Sequence, residues 1–146
     1  MDTKAASGAV PGAAATRPDP IITADNAFFW EGAARGELLG QRCAACGVFR
    51  HPPRPMCAKC HSLKVETVQL AGRGRLNSWI IPRHPPPVGF TEAPIVALID
   101  LPEGIRLVSN IVGESAEHLK PGMEVQVEFA STAGGKAVPV FRRVPG

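Results

Sequence analysis

Beyond position 60 the apolar residues fall in short runs bounded by Gly, Pro, Asn and Asp, the spacing of strands rather than helices. The pattern predicts strands over 65–70, 74–81, 95–101, 106–112, 124–129 and 137–143, with shorter ones over 38–42 and 48–50. Leu101-Pro102-Glu103-Gly104 reads as a tight hairpin turn. One helical turn is expected over 114–119, closed by Lys120-Pro121-Gly122. The single longer helical pattern spans 26–35, where Phe28, Phe29, Trp30, Ala33 and Ala34 give a broad apolar side. Thr23 or Asp25 is the expected N-cap, and Gly36 stands where a glycine ends a helix. That apolar side either packs on the body or faces a partner. Many short strands with one late helical turn suit a small closed barrel better than a sandwich. The five-stranded Greek-key OB-fold is the first choice, so the fold class is mainly β.

Composition changes this picture little. A chain of 146 residues, 45% hydrophobic and 20% charged, is globular rather than disordered. Gly and Pro each occur 15 times, which favours turns over a helical bundle. A net charge of +3 falls short of the basic stripe of a dedicated DNA binder, while leaving room for an anionic ligand. No apolar run reaches the length that spans a bilayer, and the first twenty residues contain no contiguous apolar core of a secretory signal. A cytoplasmic location is expected, with the cysteines reduced.

The cysteines carry the sharpest signal. Cys43-x2-Cys46, ten residues, then Cys57-x2-Cys60 is the spacing of two metal-binding knuckles, and no cysteine is left over. Gly47 follows the first pair and can take the positive φ that turns backbone N–H groups toward the sulfurs. Four thiolates close a tetrahedral shell, so the site is structural zinc, one ion per chain, with rubredoxin-type iron as the alternative. His61 directly follows Cys60 and is either a substitute ligand or a bystander. The expected organisation is a flexible tail over 1–22, a helix plus zinc ribbon over 23–64, and an OB-fold over 65–146.

With these elements placed, the chain resembles a family of small acyl-CoA-associated proteins built from an N-terminal helix, a rubredoxin-like zinc ribbon and a C-terminal OB-fold. The resemblance rests on Phe29-Trp30-Glu31-Gly32, Arg35-Gly36-Glu37-Leu38 and Gln41-Arg42-Cys43-x-x-Cys46-Gly47. It continues through Pro53-Arg54-x-x-Cys57-x-x-Cys60, Gly74 with its strand, and Leu119-Lys120-Pro121-Gly122-Met123-x-Val125 leading into Val127-x-Phe129. What it implies is an accessory subunit paired with a thiolase-like or lipid-transfer-type aldolase enzyme in a hetero-oligomer. The OB-fold would then lie near the partner's acyl-CoA entrance.

The residues agree in offering no catalyst. A thiolase-like reaction needs a cysteine nucleophile, and every cysteine here is committed to the metal. There is no Gly-x-Ser-x-Gly elbow, phosphate-binding Gly-Lys-Ser/Thr loop or His-Glu-x-x-His. Catalysis by the chain alone is therefore not expected. The loop from Pro82 to Phe90 contains three consecutive prolines and is the candidate coenzyme A contact, presenting Arg83, His84 and Phe90 at low entropic cost. The plain alternative is a stiff connection. Arg73, Arg75, Arg142 and Arg143 are candidates for a basic face toward coenzyme A phosphates, or are ordinary solvated charges. Three functions follow: an accessory subunit supporting carbon–carbon bond cleavage or formation on a CoA thioester, a nucleic-acid-binding ribbon and OB module, or a scaffold touching no ligand. The second is disfavoured because aromatics make up 5% of the chain, with no Tyr.

Overall fold

The structure is a computed structural model that describes residues 16–145. One helix, α1 (Ala27–Ala34), precedes eight strands: β1 (Leu39–Cys43), β2 (Phe49–Arg50), β3 (Val65–Gln69), β4 (Arg73–Ile80), β5 (Ile95–Asp100), β6 (Arg106–Val112), β7 (Glu124–Ser131) and β8 (Ala137–Arg143). A 3-10 turn, Ala116–His118, separates β6 from β7.

Strands β4 to β8 close a barrel in the order β4-β5-β6-β8-β7. Every pair is antiparallel except β6 with β8. That order, with the helical turn between the third and fourth barrel strands, is the Greek key expected of an OB-fold. β4 pairs with β5 on one side and β7 on the other, and Gly74 lies where the three strands crowd together. A Cβ there would stand 2.6 Å from the Asp100 carbonyl oxygen and 2.8 Å from Ile99 Cγ2. The β4–β5 register slips by one residue between Leu76 and Ser78, and the bulged Asn77 donates its side-chain N–H to Asp100 at 2.9 Å.

Leu76, Ile99, Val125 and Phe141 fill the barrel. They belong to one continuous core that also takes in Phe29 from α1, and Leu38 and Leu70 from the segments flanking the ribbon. α1 packs on β8 and β1. It ends as expected: Gly36 N–H bonds to Ala33 O and Glu37 N–H to Gly32 O, which satisfies two terminal carbonyls. Its start differs from expectation. Neither Thr23 nor Asp25 caps it; Asn26 stands at that position, and its side chain accepts from Thr23 N–H at 2.7 Å and donates to Ile21 O. Asn26 fastens the incoming chain instead of the helix.

β1, β2 and β3 form a separate three-stranded sheet in the order β2-β1-β3. Thus β3, whose apolar texture resembles that of the barrel strands, pairs with β1 from Leu39↔Gln69 to Cys43↔Val65, and the barrel begins at Arg73. The N-terminal segment also departs from the expected tail. Residues 1–15 lie outside the described residues, but 16–20 run along the barrel as a strap. Thr16 Oγ1 donates to Gly89 O, Arg17 to Asn110 Oδ1, and Ala133 N–H bonds to Arg17 O. Asp19 accepts from the Thr132 hydroxyl and the Gly134 amide. Hydrogen bonds, one of them between backbone groups and the rest involving side chains, hold the strap.

Candidate metal centre and the surrounding surface

Two backbone turns of the same form carry the sulfurs. In the first, Cys43 at the end of β1 accepts from Gly47 N–H through its carbonyl, and Cys46 N–H points to Cys43 Sγ at 3.4 Å. In the second, His61 N–H bonds to Cys57 O at 2.9 Å. Gly47 takes φ 79° and His61 takes φ 65°, so the exposed histidine fills the backbone role that glycine fills in the first knuckle. The metal-competent group comprises Cys43, Cys46, Cys57 and Cys60, and does not include His61.

The sulfurs fit a single ion. Cys43 Sγ and Cys60 Sγ are 3.5 Å apart, Cys46 Sγ and Cys57 Sγ 3.7 Å, and all four lie within 4.8 Å of one another. A tetrahedron with Zn–S bonds of about 2.3 Å has edges of about 3.8 Å. Cys43 and Cys57 are buried, while Cys46 and Cys60 are exposed. Amide N–H groups draw the buried thiols toward thiolate: those of Cys60 and Lys59 bring Cys57 down to about 6, and that of Cys46 leads in lowering Cys43. At Cys60 the Ser62 amide pulls the same way, but Cys43, burial and the other two sulfurs outweigh it and push the thiol up to about 11. Four crowded sulfurs resist four negative charges of their own, and a divalent cation is what such a donor set accommodates. The ion would hold the two knuckles together and supply no open coordination position.

The structure separates the other predicted site residues. Arg83 and His84 are exposed on the triproline loop, whereas Phe90 turns inward and lies beneath the Arg17 guanidinium, 5.0 Å from ring centre to Cζ. The suggested basic face is largely neutralised: Arg75 pairs with Glu124 at 3.4 Å, Arg142 with Glu128, and Arg143 with Glu114 at 3.0 Å. The Glu128 carboxylate raises Arg142 further, and Arg143, followed by His118, holds the Glu114 carboxyl below the usual range. A groove of about 510 Å³ runs between strap, helix, ribbon and barrel, with Phe29, Trp30, His51, Phe90, Val108 and Pro139 in its wall. Burial lowers His51, which packs against Phe29 at 5.6 Å. Sequence reasoning missed this groove and the strap beside it; Arg17-Pro18-Asp19-Pro20, the charged end of the supposed tail, was the available signal.

Comparison with known proteins follows this geometry closely. A family model described as the ChsH2 rubredoxin-like zinc ribbon domain matches residues 30–66, and one described as the ChsH2 C-terminal OB-fold domain matches 67–130. A solved structure named "Ltp2-ChsH2(DUF35) aldolase" has a chain that is 42% identical with a TM-score of 0.80, covering 86% of this chain and 98% of that one. The chain belongs to the ChsH2/DUF35 family. A DUF35 domain-containing scaffold protein of Methanothermobacter thermautotrophicus is 33% identical over 65% of this chain and 73% of its own length. A probable enoyl-CoA hydratase alpha subunit of Thermomonospora curvata is 44% identical over 88% of this chain. This ChsH2/DUF35 chain spans 40% of that subunit's length. The expected order of ribbon and then OB-fold is therefore the family's own. Among the described residues no helix is long and apolar enough to cross a membrane.

Proposed function

We propose that this chain is a non-catalytic accessory subunit of a thiolase-superfamily complex, in which a partner enzyme makes or breaks a carbon–carbon bond on a CoA thioester. The observation that carries this reading is the near-complete match to the ChsH2(DUF35) chain of an Ltp2-ChsH2 aldolase. Commitment of all four cysteines to one metal-competent group supports it, because no thiol remains as a nucleophile. The histidines offer no base for one: His51 packs on Phe29, His61 and His84 are exposed, and His118 faces Glu114 at 3.3 Å.

Surface texture supports a protein partner. On the outer face of β4–β5–β6, Ile80 pairs with Val96 and Leu98 with Val108, and Ile80 and Val108 are 64% and 67% exposed. Val88 on the triproline loop is 84% exposed. Apolar side chains grouped in this way mark contact surfaces. Arg83 and His84 stand on the same loop, and in this reading they meet the CoA moiety shared with the partner.

Affinity purification of the tagged chain from its native cells, followed by mass spectrometry, tests the proposal. A thiolase-like or aldolase-like protein at near-equal amount is the expected result. Recovery of nucleic acid with no enzyme partner would overturn it. Turnover by the assembled complex then reports on ligand contact: Arg83→Ala with His84→Ala is expected to lower it while leaving the complex intact.

A further inference from the structure

The barrel closes on itself, so among the described residues the open sheet edges belong to the ribbon, at β2 and β3. β2 spans only Phe49–Arg50, whereas β3 runs from Val65 to Gln69 and pairs with β1 alone. The ladder shows which way its backbone groups point. Leu70 N–H bonds to Leu38 O and Ala44 N–H to Lys64 O, one step beyond each end of the β1–β3 register. Groups alternate along an antiparallel strand, so Glu66 and Val68 also turn their N–H and C=O toward β1. Val65, Thr67 and Gln69 therefore turn theirs outward, and their side chains are exposed. Among the described residues nothing bonds to those outward groups. The open row ends sharply: Ala71, next in the alternation, gives its N–H to Glu103 Oε2 at 2.9 Å.

Open edges are ordinarily blunted by Pro, by a bulge or by free charge. β3 has none of these. Its register with β1 runs without a slip, and its one charged residue, Glu66, is engaged by Arg42 at 2.6 Å. Uncovered apolar side chains stand at its start, with Val65 43% exposed and Leu63, just before it, 67% exposed. An electrically balanced, unbulged edge beside uncovered apolar side chains is a template for another strand.

We propose that β3 pairs with β3 of a second copy of this chain, antiparallel about a two-fold axis at Thr67, joining the two ribbons into one continuous sheet. The strand itself selects this occupant and this register. With Thr67 facing Thr67 of the second copy, Val65 faces Gln69 and Gln69 faces Val65. Each of these pairs exchanges two hydrogen bonds, so every outward group is satisfied. Glu66 then lies opposite Val68, and no like charges meet. Moving the axis to Glu66 would set that carboxylate against its own copy and carry Gln69 past the end of the facing strand. Moving it to Val68 would set Val65 against Ala71, whose N–H is already taken by Glu103. Val65, Thr67 and Gln69 share one face of the strand, so Thr67 meets Thr67 and the stem of Gln69 covers the exposed Val65. The contact uses the ribbon edge rather than the outer barrel face and does not rest on which enzyme the subunit serves.

Light scattering by the zinc-loaded full chain, with amide exchange followed by NMR, tests the proposal. A monomer–dimer equilibrium with Kd of about 10–200 μM is expected, as suits a small contact. Between about 50 μM and about 1 mM chain, the amides of Val65, Thr67 and Gln69 should slow by at least about twofold. Those of Glu66 and Val68, bonded to β1, should not change. Thr67→Pro removes the central outward N–H while sparing the β1 ladder, and should abolish the dimer. Thr67→Lys sets two cations against each other and should raise Kd by at least about fivefold. Retained zinc and slow exchange at Glu66 and Val68 check that each variant keeps its ribbon. A chain that stays monomeric up to about 1 mM overturns the proposal. So does protection of Val65, Thr67 and Gln69 that is the same at both concentrations, which would place the cover of this edge within one chain. A dimer that neither substitution weakens overturns it as well.

Discussion

Removing the metal should melt the ribbon and leave the barrel standing. The three strands of the ribbon contribute little apolar burial: β2 and β3 contain no buried residue, and in β1 the buried side chains are Leu39, Gln41 and the ligand Cys43. Burying one leucine contributes about 1.5–3 kcal/mol, whereas zinc bound by a ribbon of this kind contributes roughly 10–16 kcal/mol at neutral pH. The barrel has its own filling in Leu76, Ile99, Val125 and Phe141. Hydrogen exchange on chain stripped by a chelator, or on Cys57→Ser, reads the two parts separately. The amides of Cys43, Gly47, Cys57 and His61, which close the knuckles, should lose at least about a thousandfold in protection, equivalent to about 4 kcal/mol. The amides of Leu76, bonded to Met123 O, and Val127, bonded to Gly72 O, should keep most of theirs. Knuckle amides that stay slow after complete metal release would refute the reasoning. Simultaneous loss of protection in ribbon and barrel would refute it equally.

Gly74→Ala should destabilise the zinc-loaded chain by about 1–3 kcal/mol, the usual cost of overpacking, because its Cβ would press on the Asp100 carbonyl and on Ile99; an unchanged denaturation midpoint would contradict that close approach. Gly47→Ala has open space but must hold φ 79°, so a loss of about 1 kcal/mol confined to ribbon stability is expected, read by competition for zinc with a chelating dye. The Asp19 carboxyl is held below its ordinary 3.8 by the Thr132 hydroxyl and then the Gly134 amide. Its contribution to strap docking is therefore complete above 3.8 and fades as pH falls through the lower folded value. Exchange of the Ala133 and Gly134 amides between pH 2 and 5 measures this, and Asp19→Asn should release the strap already at neutral pH. Ile80→Asp with Val108→Asp should abolish co-purification of the partner while changing stability by no more than about 0.5 kcal/mol per exposed site.

The parts legible in the sequence are those encoded locally. Cysteine spacing located the metal-competent group, and the Pro102–Gly104 turn and the strand runs located the barrel because each depends on neighbours in the chain. What stayed hidden depends on distant partners. β3 has the texture of a barrel strand, and nothing in Val65–Gln69 states that its partner is β1 rather than β4. Thr16, Arg17 and Asp19 are held by groups 73 to 115 positions away, so no periodicity announces the strap. The arginines of the suspected basic face meet carboxylates across strands or loops, as Arg75 does with Glu124 and Arg142 with Glu128. Phe90 turned inward from a loop whose composition reads as uniformly exposed, because its ring accepts the Arg17 cation.

β5 shows why hydrophobic pattern alone underdetermines even the legible part. Ile95, Ala97 and Ile99 face the core, yet Val96 and Leu98 on the outside are also apolar. A slip of one residue would bury Val96 and Leu98 in place of the native set, so polarity does little to fix the register. The register must come from the polar end of the strand. Asp100 accepts from the bulged Asn77 at 2.9 Å and from Arg106 at 2.7 Å, and these two bonds hold its carboxyl below the usual range. Those bonds tie β4, β5 and β6 together beside the Leu101–Gly104 turn, where Gly104 N–H closes on Leu101 O at 3.0 Å. With register set there, the outer face of β5 is released from specifying the fold and is available to specify a partner, which is how a strand in a small barrel can stay apolar on the side its own chain does not cover.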